Sequence, residues 1–117
     1  MTLETKIFHN PRCSKSRQTL ALLEERGIKP TTIEYLKGGL NTQVLAELLG
    51  LLNLDAGAIL RKKEDAYAES GLCDSSSDEQ IIEQIVKHPV LLERPIVVHG
   101  SRAALGRPPE NVLSILD

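Results

Sequence analysis

The chain has 117 residues, of which 41% are hydrophobic, enough for one core and one domain spanning residues 1–117. Its 14 Lys plus Arg against 16 Asp plus Glu leave a formal charge of −2, without the basic surplus of a general nucleic-acid binder. The opening Met-Thr-Leu-Glu-Thr-Lys lacks the charged start and apolar core of a signal peptide, and no apolar run approaches the ~20 residues of a membrane span. A cytoplasmic protein with no membrane partner is expected.

In chain order, Lys6-Ile7-Phe8 reads as a first strand that ends at the turn Asn10-Pro11. From Ser14 to Arg26 the helical spacing of Ser16, Leu20 and Leu23 predicts a helix, with Gly27 as its C-terminal cap. Thr31–Tyr35 is rich in β-branched residues and reads as a second strand. Together these form a βαβ unit with parallel strands and a right-handed crossover. Asn41 or Thr42 caps a leucine-rich helix through Leu52, and Asp55 opens a short helical piece ending near Arg61-Lys62-Lys63. Ser75 to Gln80 offers overlapping capping boxes for a helix that Pro89 ends. Arg94–His99 and Ala103–Leu105, joined at Gly100-Ser101, read as a hairpin, and a last helix is expected from Pro108-Pro109 to Leu116.

The segment with most chemical content is His9-Asn10-Pro11-Arg12-Cys13-Ser14-Lys15-Ser16-Arg17. A cysteine reacts as its thiolate, whose pKa falls beside positive charge or at a helix N-terminus. Cys13 has both: between Lys6 and Leu23 the chain carries Lys6, Arg12, Lys15 and Arg17 and no acid. The same N–H groups and cations suit a tetrahedral oxyanion. An inert cysteine in a basic surface loop is the competing reading. Ser16 occupies the second position of a Cys-x-x-Ser pattern, so a covalent Cys13 adduct has no local resolving thiol. Cys73 lies among Asp74 and serines with no nearby base, a setting expected to disfavour its thiolate. Two distant cysteines suggest neither a disulfide framework nor a zinc site, and His88 and His99 lack ligand-like neighbours; no metal is expected.

These residues resemble the glutaredoxin-coupled arsenate reductases, the ArsC family, along nearly the whole chain. Besides the Cys13 segment, the resemblance rests on Leu60-Arg61-Lys62, His88-Pro89, Arg94-Pro95-Ile96-Val97 and Gly106-Arg107-Pro108. It implies an α/β thioredoxin-like fold: a four-stranded mixed sheet, built from the βαβ unit and the C-terminal hairpin, covered by helices. It implies arsenate as substrate, glutathione as co-substrate, glutaredoxin as partner and no tightly bound cofactor. Cys13 would be the nucleophile and His9 a helper that lowers its pKa. Arg61, Arg94 and Arg107 would bind the oxyanion, with Asn10, Ser16, Arg17 and a cis Arg94-Pro95 bond in support. Two departures stand out: the chain stops at Asp117, where many members carry a further polar segment, and Spx-type regulators of this fold, which bind RNA polymerase, usually have Cys-x-x-Cys. A glutathione-linked reductase acting on another substrate, and a non-enzymatic Spx-like regulator, are the alternatives.

Overall fold

The computed structural model describes residues 4–116. They form two compact units, one from the segments up to Gly39 and from Arg94 onward, the other from Leu40–Glu93.

The first unit holds a four-stranded sheet of β1 (Thr5–Phe8), β2 (Thr31–Ile33), β3 (Ile96–His99) and β4 (Arg102–Leu105) in the order β2-β1-β3-β4. β1 pairs parallel with β2, with Ile7 opposite Thr32, and antiparallel with β3, with Ile7 opposite Val97. β3 and β4 form the expected hairpin, closed where His99 faces Arg102 across Gly100-Ser101. The first strand leads into α1 (Ser14–Glu25). Ser16, Thr19 and Leu23, at helical spacing, are buried. Gly27, at φ +76, lets Ile28 N–H reach back to Leu23 O at 3.0 Å, a turn that other residues adopt at a cost. Leu23 packs with Ile7, Val97, Val112 and Ile115 in one apolar cluster. This tie fixes α1, and hence the loop before it, on the central strands.

Three elements depart most from the sequence reading. β2 ends at Ile33 because Glu34–Lys37 closes a turn, with Lys37 N–H on Glu34 O at 2.9 Å. β3 starts at Ile96, since Pro95 has no N–H to give a ladder. The C-terminal helix is a 3-10 helix, Pro109–Ile115. There Asn111 Nδ2 donates to Arg107 O and Ser114 Oγ to Asn111 O, side-chain bonds that compete for the carbonyls an α-helix would use.

The second unit contains α2 (Thr42–Leu52), a 3-10 turn (Ala56–Ile59), α3 (Asp65–Ser70), α4 (Asp78–Lys87) and a second 3-10 turn (Pro89–Leu91). Asn41 caps α2 by accepting the Val44 N–H, and Ser77 with Gln80 forms the capping box of α4. Leu45, Leu48, Ile59, Ile81 and Ile85 are among its buried apolar side chains. The short α3 went unread in the sequence, because its residues bury no face and leave no periodic signal. No helix among the described residues is long and apolar enough to cross a membrane.

Candidate active site

Cys13 is the N-cap of α1, with extended backbone at φ −93, ψ 124. Two hydrogen bonds fix its position: its N–H donates to Asn10 O at 2.9 Å, and its carbonyl accepts the first helical bond from Arg17 N–H at 3.0 Å. Asn10 Oδ1 accepts the Arg12 N–H at 3.1 Å, and Arg17 Nη1 donates to Pro11 O at 2.9 Å. Asn10 and Arg17 thus hold the loop that presents the thiol.

The sulfur is half-buried. Burial pushes its pKa up, but the Ser16 N–H, the Arg94 hydrogen bond and charge, and the Lys15 N–H outweigh this and hold the thiol below its usual value. The helix start contributes N–H groups and no acid lies in its first turn. Arg107 adds a second guanidinium: Nη2 lies 3.6 Å from Cys13 Sγ, while Nε donates to Arg94 O at 2.7 Å. One arginine is therefore braced on the backbone of the other. Arg94-Pro95 is cis, as expected, and Arg107-Pro108 is cis as well.

His9 is almost fully buried, at 5% exposure. Burial lowers its pKa, against the raising effect of Glu34 and with a further lowering by Arg17, so the imidazole is held neutral near pH 7. Its Nδ1 lies 2.6 Å from Ser16 Oγ, and that oxygen accepts the Asn10 N–H at 3.1 Å. A neutral ring with an unprotonated Nδ1 accepts the Ser16 hydroxyl hydrogen, which completes a chain from Asn10 through Ser16 to His9. Ser16 then meets the thiol through its N–H, not its hydroxyl.

Arg61 belongs to the second unit, where it is held by Glu64 at 3.1 Å and Glu93 at 2.7 Å. Cys73 is exposed in the turn after α3. Its surroundings correct the sequence reading: the Ser75 hydroxyl, 3.0 Å from the sulfur, leads a set of hydrogen bonds that lower its pKa. The nearby acid misled, because Asp74 is engaged with Lys62 at 3.1 Å while the serines face the sulfur. No cluster of metal-ligating side chains occurs among the described residues.

Two packing contacts beside the site escaped the sequence reading. Thr19, buried three positions after Ser16, donates from Oγ1 to Lys15 O at 2.8 Å; its helical spacing was the available signal. Gly106 comes so close to Thr19 and Pro95 that a Cβ there would lie 2.7 Å from Thr19 Oγ1 and 2.7 Å from Pro95 Cγ, an approach with no local sequence signal.

The order of the sheet and a strand feeding a cysteine-capped helix define a thioredoxin-like fold with an activated thiol at the start of its first helix. A family model described as ArsC family matches residues 8–115, and the chain belongs to that family. The chain is 49% identical over 118 residues to the uncharacterized protein YfgD of Escherichia coli (strain K12), covering 99% of each. It is 46% identical to an arsenate reductase of Neisseria meningitidis, covering 97% of this chain and 98% of that one. The solved structure of an arsenate reductase from Vibrio cholerae superposes with a TM-score of 0.94 at 45% identity, covering 99% of this chain and 100% of that one.

Proposed function

We propose that the protein reduces arsenate to arsenite in the cytoplasm, with Cys13 as nucleophile and glutathione and glutaredoxin as the reducing partners. The observation that carries this reading is the Cys13 thiol held below its usual pKa between the N-terminus of α1 and the guanidinium groups of Arg94 and Arg107. The same donors that favour the thiolate favour an incoming oxyanion, which places nucleophile and electrophile together. The arsenate reductases among its relatives support the choice of anion.

Dihydrogen arsenate binds against Arg94 and Arg107, and the Cys13 thiolate attacks arsenic. The S–As bond forms as an As–O bond breaks, and the departing oxygen leaves as water after taking up a proton. The arginines stabilise charge that builds on the remaining oxygens. Arsenic then gains two electrons from two glutathione thiols, which leave as glutathione disulfide with glutaredoxin as catalyst. Arsenite departs and Cys13 returns to thiolate. His9 acts through Ser16: their hydrogen bond fixes the first turn of α1 so that the Ser16 N–H faces the sulfur.

The test is arsenate-dependent NADPH consumption with glutathione, glutathione reductase and glutaredoxin. Cys13→Ser should abolish it and Cys73→Ser should leave most of it. Equal losses would remove the single-thiol mechanism, and a wild-type protein silent with arsenate but active on a glutathione-linked disulfide would replace the substrate.

A further inference from the structure

The mechanism above leaves unassigned a cavity of about 220 Å³ bordered by His9, Asn10, Pro11, Arg12, Glu34, Leu36 and Lys37. We infer that this cavity seats the thiol peptide that reduces the Cys13 adduct, glutathione, with Arg12 and Lys37 taking its two carboxylates and Glu34 its ammonium. The inference rests on the reading of a glutathione-dependent reaction and adds where that co-substrate binds.

Three features carry it. The first is position: Arg12 immediately precedes Cys13, and the loop from Asn10 to Cys13 is pinned by the Arg12 N–H on Asn10 Oδ1 and the Cys13 N–H on Asn10 O. A ligand seated in the cavity lies against the residues that lead directly into Cys13. The second is charge. Glutathione carries two carboxylates and one ammonium, and the cavity rim carries two cations and one carboxylate, a match in both sign and number. Lys37 Nζ sits 3.5 Å from Glu34 Oε1, with side chains 79% and 42% exposed. Such a solvent-exposed pair is weakly held and can open to admit the ligand's own charges. The third is Leu36, an exposed large hydrophobic side chain that offers apolar surface to the ligand's methylene stems between its charged ends. The turn Glu34–Lys37 that shortened β2 is what brings these three side chains to the loop.

The probe is S-methylglutathione, which keeps every charge of glutathione and cannot react. Titrated into isotope-labelled wild-type protein, it should shift backbone amide resonances of residues 9–13 and 34–37. Lys37→Glu should weaken that binding and raise the glutathione KM by about tenfold, the cost of exchanging one charge-assisted contact for a repulsive one. It should leave the arsenate KM within about twofold, since Lys37 is absent from the oxyanion contacts. Lys63→Glu, an equal charge change at an exposed position of the second unit, controls for net charge and should alter neither KM. Probe shifts that fall elsewhere, no shifts at all, or an unchanged glutathione KM in Lys37→Glu each overturn the assignment while arsenate reduction stands. A wild type that fails to reduce arsenate, yet binds the probe at this cavity and loses it in Lys37→Glu, overturns the proposed substrate and keeps the cavity.

Discussion

Arg94 meets the Cys13 thiol as both a hydrogen-bond donor and a charge, and these two roles separate under substitution. A guanidinium presents paired N–H groups to two oxygens of a tetrahedral anion, whereas an ammonium on a flexible stem attracts the anion without orienting it. Arg107 cannot supply the missing orientation alone, because its Nε is committed to Arg94 O at 2.7 Å. In the proposed mechanism the thiolate must approach arsenic opposite the departing oxygen, and a misplacement of ~1 Å costs on the order of a hundredfold. Arg94→Lys is therefore expected to bind arsenate but to lose roughly ten- to a hundredfold in kcat, and Arg94→Ala to lose more. Steady-state kinetics on folded variants decide this, and a kcat for Arg94→Lys equal to wild type would reduce Arg94 to a source of local charge.

At the scale of elements, the site depends on how closely the hairpin approaches α1. Gly106 N–H donates to Pro95 O at 2.8 Å, and the space where its Cβ would lie is taken by Thr19 and Pro95. Neither neighbour moves freely: Thr19 is buried and bonded to Lys15 O, and Pro95 is a ring in the chain. Gly106→Ala should cost about 1–3 kcal/mol, as overpacking typically does. Adding Thr19→Ala should recover only part of this, since the Pro95 contact persists. Urea unfolding measures both, and a Gly106→Ala midpoint equal to wild type would mean that the hairpin can shift outward without loss. This junction also marks the limit of what the sequence discloses. The strands, α1 and its Gly27 cap were legible because periodicity and turn chemistry are local signals, and the Cys13 segment because its charge asymmetry is local too. The Gly106 approach and the Ser16–His9 bond join residues that only folding brings together. The extra 3-10 geometry after Pro108 was hidden for a related reason: proline marks where a helix begins, not which carbonyls Asn111 and Ser114 then claim.

For the molecule as a whole, the buried His9 ties stability to pH. Unfolding releases its imidazole to water, where its pKa is about 6.5, whereas burial holds it lower in the folded chain. Between those two values the unfolded state carries the extra proton, so stability rises with pH across that window. The contribution is fully present above the unfolded pKa and is lost as pH falls through the folded one. In the tautomer whose Nδ1 accepts the Ser16 hydroxyl, protonation would also place a hydrogen on Nδ1 and break the chain from Asn10 that orders the first turn of α1. The urea midpoint of the wild type should thus fall as pH is lowered from neutrality, and the Cys13 alkylation rate should fall more steeply than thiolate titration alone requires. His9→Gln keeps an acceptor for the Ser16 hydroxyl but has no proton to gain in this range. It should keep most of the neutral-pH stability and flatten the midpoint against pH. An equally steep fall in His9→Gln would assign the pH dependence to other groups and leave His9 as a packed polar residue with no part in it.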